Sequence, residues 1–450
     1  MAKPKPSRRR KVAEWWRDAQ WYFLGGLAAA AFLVGIVGFQ QWYEVHGVEG
    51  ATFWDAAYKS LQLFTLESGS ADAPVPVALN VARYLALIAA LYGAAAAVLA
   101  VFGEQFARLR ISRTSGHAVV CGLGDRGLHI TRQLLADGWR VAVIERDEHA
   151  PLLDGARASS AVVVIGDATD PVTLKKVGAQ RAECVFAVCP EDGDNAEIAV
   201  RLRELVGATS SEHPVTVIAH IYDTELCTLL RARIGAGYVS HGVRLRFFNV
   251  PERGARAMLD AVPPVALREG RAPHIVVVGL GKLGRSLVIA AAGDWAMKES
   301  DASARPRVTM IDRSATAKKE LLRIRLPGID AACELAVEDW PPNAPEFERG
   351  DYLRDESGAP DVDAVYICPD DDVHSLAAAL TVQQHTRDAG VPIAVRMTRE
   401  GGLASLLLGD GTGEFADLRA VGVLDYACDL GRLLEADTAP DTPVKARSES

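Results

Sequence analysis

Apolar and polar positions divide this chain into two parts of different kind. From Ala19 to Tyr43, and again from Tyr84 to Gly103, no residue carries a formal charge, and Leu, Ala, Gly, Val and Phe dominate. Each run supplies the roughly 20 apolar residues that a helix needs to cross a bilayer. Beyond residue 113 the apolar residues come in short runs: HAVVC (117–121), VAVIE (141–145), AVVVI (161–165), VFAVC (185–189) and VTVIAHI (215–221). Short continuous apolar runs alternating with helix-spaced segments predict parallel strands covered on both faces by helices. The expected fold class is an α-helical two-span membrane domain followed by α/β domains of Rossmann type.

The first of these runs leads directly into Gly122-Leu123-Gly124-Asp125-Arg126-Gly127, then a helix-spaced segment, then a second apolar run ending on Glu145. That is the strand, glycine turn, helix, strand and acid order of a dinucleotide-binding unit. Gly122 permits the tight turn, Gly124 lets backbone approach a pyrophosphate, and Gly127 lets the helix pack close to the strand. The helix N-terminus, with Asp125 and Arg126, faces the phosphates with unpaired N–H groups. Glu145, eighteen residues after Gly127, is placed to accept hydrogen bonds from ribose hydroxyls. Arg126 and Arg146 are each either a phosphate partner or a solvated surface residue. An acid at position 145 disfavours a 2′-phosphate, so the ligand expected is an adenine nucleotide, NAD(H) or ATP/ADP, with NADP the poorest candidate.

The pattern returns. Gly279-Leu280-Gly281-Lys282-Leu283-Gly284 follows HIVVV, RVTMID ends on Asp312, Cys368-Pro369 matches Cys189-Pro190, and VPIAVRM matches VTVIAHI. The matching points are offset by 157, 167, 179 and 176 residues, which reads as duplication of a whole domain. Gly279, Gly281, Gly284 and Asp312 therefore form a second candidate nucleotide site. An insertion of about ten residues separates its turn from its acid, and residues 313–362 read as a polar, proline-bearing stretch. A structural partner for the first repeat is the favoured reading of the second. Between them, RFFNVPERGARAML predicts an amphipathic crossover helix through Phe247, Phe248, Val250, Ala255 and Met258.

Charge and cysteine usage narrow the classes. Against 58 acidic residues there are 49 basic ones, so nucleic acid is not the expected partner. The seven cysteines form no CxxC and no Cys/His ligand spacing, which predicts reduced, buried thiols and no metal site. Basic residues flank the two apolar runs in KPKPSRRRK and EQFARLRISR, while residues 40–80 hold five acids against Lys59. By the positive-inside rule both termini face the cytoplasm. No His/Lys/Tyr constellation would move a proton beside a nicotinamide, so the chain is not expected to be an enzyme. His220, His241 and His274 read as packed or surface histidines.

Between the spans, ATFWDAAYKSLQLFTLESG (51–69) has helix-like apolar spacing that runs into Thr65-Leu66-Glu67-Ser68-Gly69, the layout of a pore loop. The order of span, FxDAxYxS helix, TxxxG, span and Rossmann repeats resembles a two-span potassium-channel subunit with tandem RCK domains, the regulators of potassium conductance, related to the nucleotide-binding subunits of Trk-type potassium uptake. GLGDRG, Glu145, the GDAT segment Gly166-Asp167-Ala168-Thr169 and Asp194-Asn195 carry the resemblance in residues 115–430. It implies that Gly166, Asp167 and Ala168 approach the adenine end of the ligand; Thr169 and Asp170 also suit the cap of a helix starting at Pro171. Where potassium channels carry TVGYG, this chain reads TLESG, loosely similar to the filter region of Castor/Pollux-type channels. Four Glu67 side chains would make a carboxylate ring admitting monovalent or divalent cations; the alternative is a loop that conducts nothing on a simple anchor.

The domain plan is then a basic N-terminus (1–18), a two-span domain (19–103) with the pore-loop-like segment 51–69, a linker (104–116), and a first RCK/Rossmann domain (117–240). A crossover region (241–272), a second RCK/Rossmann domain (273–408), a short helical extension (409–434) and a disordered tail (435–450) complete it. A complete RCK C-terminal ligand lobe is not expected. The function expected is a cation channel or potassium transport protein of the plasma (inner) membrane, a homotetramer gated by nucleotide. Its alternative is a non-conducting anchored sensor that regulates a partner.

Overall fold

The computed structural model describes residues 8–65, 73–207, 214–234, 239–263, 272–298, 305–355, 357–402 and 417–435. Leu66, Glu67, Ser68 and Gly69 of the pore-loop-like segment, and the tail beyond Glu435, lie outside them. The chain divides into two compact units, residues 1–111 and 112–450.

The first unit is built on two long helices, α1 (Arg8–Val45) and α3 (Val77–Ser112), with the short α2 (Phe53–Gln62) between them. Within α1, Trp21–Val45, and within α3, Val77–Val98, are long and apolar enough to cross a membrane. The second window begins seven residues before the charge-free run read from sequence and takes in Arg83. Glycine sets how closely the helices approach: a Cβ on Gly38 would stand 2.6 Å from the backbone of Leu79, and one on Gly35 would stand 2.2 Å from Ser60 Oγ. Ser60 Oγ itself donates to the Phe32 carbonyl at 2.7 Å. Such small-residue contacts hold helices together where lipid supplies no hydrophobic drive between them. α2 begins with a reciprocal capping box between Thr52 and Asp55, and its Lys59 ammonium lies within 5.9 Å of the Phe39, Trp42 and Tyr43 rings of α1. Val81, Tyr84, Ile88 and Leu91 of α3 remain exposed; an apolar surface of this extent needs lipid or protein to cover it.

The second unit holds two sheets. In the first, β1 (Ala118–Cys121), β2 (Val141–Glu145), β3 (Val162–Ile165), β4 (Cys184–Ala187), β5 (Val215–His220), β6 (Val239–Ser240) and β7 (Val243–Phe248) lie in the order β3-β2-β1-β4-β5-β7-β6, parallel except for the β6–β7 pair. The second sheet is wholly parallel: β8 (His274–Val278), β9 (Arg307–Ile311), β10 (Glu334–Glu338), β11 (Ala364–Ile367), β12 (Ile393–Met397) and β13 (Leu418–Gly422), ordered β10-β9-β8-β11-β12-β13. Both orders reverse direction beside the first strand, β1 or β8, which leaves a crevice at the carboxyl ends of the strands.

Three segments differ from the sequence reading. Phe247 and Phe248 end strand β7, and the crossover helix starts after them, capped by Asn249, whose side chain accepts from Glu252 N–H. Strand β10 lies inside the stretch read as polar loop, because its alternation in ELAVE is half-exposed at a sheet edge. Leu418–Gly422, read as part of a helical extension, is the last strand of the second sheet, with Leu418 and Val421 buried. The longer gap in the second repeat is partly helix: Lys282–Lys298 has 17 residues, against 12 in Asp125–Ala136.

The two sheets exchange helices. Ala255, Met258 and Leu259, on the helix after β7, are buried among Ile275, Leu287 and Tyr366 of the second repeat. Leu424, Cys428, Leu430 and Leu433, after β13, are buried among Ala118, Leu128 and Leu134 of the first. Polar bonds fix both exchanges. Tyr366 Oη donates to the Val262 carbonyl at 2.6 Å, and Gln133 both donates to the Cys428 carbonyl and accepts from Leu430 N–H. Burying such side chains is worth about 1.5–3 kcal/mol each, so neither repeat is complete without the other's helix.

Candidate functional site

The first glycine turn lies at the crevice between β1 and β4. Gly122 has φ +95°, and a Cβ there would stand 3.0 Å from the Cys189 backbone. Only glycine takes that turn without strain. A Cβ on Gly127 would stand 2.0 Å from the Gly122 carbonyl oxygen, so this glycine lets α4 (Asp125–Ala136) begin directly against the turn. Gly124 is different in kind. Nothing lies within 4 Å of where its Cβ would be, so its glycine leaves room rather than relieving an internal contact.

Glu145 closes the turn from the side. One carboxylate oxygen accepts from Leu123 N–H at 2.7 Å and the other from Asp147 N–H at 3.0 Å. Each oxygen keeps acceptor capacity for a further hydroxyl. The acid therefore holds the glycine turn in shape and can still receive a ribose. Arg146, at 62% exposed, spans Asp167 at 3.0 Å and Asp194 at 3.2 Å, and so ties the loop after β3 to the first turn of the helix after β4. Asp167 also accepts from Thr169 N–H and Oγ1, and the Thr169 hydroxyl and Arg146 hold its pKa below the usual range despite partial burial. Gly166 packs against Thr173, and Ala168 is buried. Asp170 is the cap of the helix starting at Pro171, accepting from Val172 and Thr173 N–H; Thr169 takes no part in that cap.

Arg126 reaches the last residue of β5. Its guanidinium donates to the buried His220 ring at 2.8 Å. Burial, then the charges of Arg126 and Lys282, push that imidazole down to a pKa of about 3, so it is a neutral acceptor. The Asn195 side chain ties the ends of β4 and β5 together through the Cys189 and His220 backbones. His274 is buried against Thr309, and His241 sits at a positive-φ turn. All seven cysteines are free, six of them buried, and among the described residues no group of three His, Cys, Asp or Glu side chains is placed to hold a metal.

The second turn repeats the backbone. Gly279 has φ +86°, and a Cβ on Gly284 would stand 2.1 Å from the Gly279 carbonyl oxygen. Its surroundings differ. A Cβ on Gly281 would lie 3.6 Å from an Asp370 carboxylate oxygen. Asp312 accepts from Leu280 N–H at 2.9 Å, from Ser314, and from Lys318 Nζ at 2.6 Å. Burial opposes its ionisation, but the Lys318 ammonium and the backbone amides outweigh that and hold its pKa low. After the third strand, where the first repeat has Gly166-Asp167, this one has Asp339-Trp340, with the Trp340 ring packed on Phe347 and Tyr352.

A cleft of about 540 Å³ opens elsewhere, between α4 and the second repeat, lined by His129, Asp372, Thr398, Arg399 and Asp425. None of the residues singled out from sequence lines it. No glycine signature or spacing marks it, because its walls come from both repeats.

Of the solved structures similar to this chain, GsuK bound to ADP is 16% identical, with a TM-score of 0.47, covering 95% of this chain and 99% of that one. The GsuK channel bound to NAD is 14% identical with a TM-score of 0.44, covering 95% and 84%. An uncharacterized protein of Methanothermus fervidus is 26% identical over 96 residues, which are 21% of this chain and 15% of that protein's length. Residues 118–241, from the first strand of the glycine-turn unit to the edge of β7, match the TrkA-N domain family.

Proposed function

We propose that this chain is a membrane cation channel or potassium transport protein, gated by an adenine nucleotide, NAD(H) or ATP/ADP, bound in its first repeat. The open Gly124, with Glu145 beside it inside the segment that matches the TrkA-N domain, carries the reading. Pyrophosphate would sit at the N-terminus of α4, which no side chain caps. Ribose would bond to Glu145, and the adenine end would lie towards Gly166, Asp167 and Ala168. The second repeat, with Asp312 held by Lys318, serves as a structural partner rather than a receptor.

Coupling to the membrane is short. α3 runs without interruption from the second apolar stretch to Ser112, and only residues 113–117 separate it from β1. A ligand shifts a gate only by its differential affinity for the two states, and about 1–3 kcal/mol is typical. In this reading the chains form a homotetramer in the inner membrane with both termini cytoplasmic, and Thr65 through Gly69 line the pore. Thr65 ends the turn after α2, where its hydroxyl donates to the Gln62 carbonyl.

The test is cation flux in liposomes reconstituted with the full chain, with and without ADP or NAD. Ligand-dependent potassium flux is expected. Flux absent under every ligand, with nucleotide still bound and a second membrane protein co-purifying, selects the other reading: a non-conducting sensor that regulates a partner transporter. That reading draws on Glu67 standing where a filter needs glycine.

A further inference from the structure

Residues at the fourth position of each glycine turn reach across to the other repeat. Asp125, the first residue of α4, is bonded by Arg399 at 2.8 Å. Lys282, its counterpart in the second turn, lies 4.0 Å from Asp223, donates to the Tyr222 carbonyl and covers the Tyr222 ring at 3.7 Å. Tyr222-Asp223 and Thr398-Arg399 occupy equivalent places just after β5 and β12. The pairs are therefore the same contact made twice, with the signs of charge exchanged.

The exchange matters because the two turns differ in what they can receive. Asp125 follows the open Gly124 and places a carboxylate beside the amides proposed to hold pyrophosphate. A carboxylate at a helix N-terminus is favourable while nothing else is there. Once phosphate arrives it is a like charge within a few ångströms, and it lowers affinity unless neutralised. Arg399, contributed by the second repeat and only 36% exposed, is bonded to it. Its cationic guanidinium presents a planar fork that fits a carboxylate. The segment that carries it is anchored next to it: Asp372 accepts from Arg396 and from Thr398 N–H, the residue before Arg399.

We infer that Arg399 sets the phosphate affinity of the first repeat by neutralising Asp125, so that a residue of the non-receiving repeat decides how strongly the other repeat binds. It is a positioning residue, acting through Asp125 and not by touching the ligand. This rests on the proposed nucleotide site, and the experiment separates the two. Equilibrium binding of ADP and of adenosine is measured on full-length protein in detergent for the unaltered chain, R399A, D125A, D125A/R399A and G124V. ADP affinity should fall about tenfold in R399A, rise severalfold in D125A, and return to within about threefold of the unaltered chain in the double variant. Adenosine, which carries no phosphate, should bind alike in these three variants. A merely structural role for the pair would shift adenosine and ADP together, and the double variant would be no better than R399A; either result overturns the inference. Unchanged ADP affinity in R399A, with binding still lost in G124V, overturns it while leaving the nucleotide site standing. No binding by the unaltered chain overturns both.

Discussion

At Gly124 an added Cβ would meet no atom within 4 Å, whereas at Gly281 it would lie 3.6 Å from the carboxylate of Asp370. Glu145 spends its two oxygens on two backbone amides, while Asp312 is also held by an ammonium at 2.6 Å. The backbones of the two turns are nearly the same, down to glycine φ angles of +95° and +86°. Duplicated sequence therefore preserved the fold-making glycines, and the differences fall on the side chains around them. A glycine turn shows that a chain can approach a phosphate; what faces the second glycine decides whether it is free to.

The largest expected effect tests the part that is alike. Gly127→Ala and Gly284→Ala each force a methyl to about 2 Å from a backbone oxygen. Both should destabilise the protein by about 3 kcal/mol or more, beyond ordinary overpacking. Chemical denaturation of the purified chain measures this, and a mild effect at either position would break the equivalence of the turns.

Acid should separate the repeats. His220 has its counterpart in Arg396, so the second repeat holds no imidazole at that place. With a folded pKa of about 3 against 6.5, His220 contributes stability that is complete above pH 6.5 and is lost as pH falls towards 3. The slope is up to about 1.4 kcal/mol per pH unit, because the unfolded chain takes up the proton first. Hydrogen exchange at pH 7 and pH 5 should show β5 losing protection before β12, and His220→Gln should flatten the difference.

Lys318→Ala leaves the half-buried Asp312 carboxylate short of its ammonium. It should cost about 1–2 kcal/mol at about pH 6 and less at about pH 3, since a carboxylate whose pKa is lowered from its ordinary value contributes stability that is lost as pH falls through the folded pKa. Urea titrations at the two pH values read it. The smallest effect is at the exposed rim. Arg146→Ala removes two solvent-screened pairs and should change stability by less than about 1 kcal/mol, so a larger loss in thermal melts would mean that the rim loops depend on that bridge.

Much of this was legible in the sequence because it is written in local patterns. The parallel strands stand in continuous apolar runs, the turns in their glycines, and the cap of the 171–176 helix in Asp170-Pro171. Strands β10 and β13 were hidden because each lies at a sheet edge and alternates with polar residues, as loops and helix ends also do. The target of Arg126 was hidden for another reason. His220 is ninety-four residues away, and nothing in the local sequence of either points to the other. The charge-exchanged pairs Asp125–Arg399 and Asp223–Lys282 are likewise products of the packing of one repeat on the other.

In the proposed function one repeat receives a nucleotide and the other does not. The decisive measurement is the binding stoichiometry of ADP or NAD on the full-length protein in detergent, alongside Gly124→Val and Gly281→Val. One nucleotide per chain is expected, lost with Gly124→Val and retained with Gly281→Val. Two nucleotides per chain, or loss of binding with Gly281→Val in a folded protein, would contradict it.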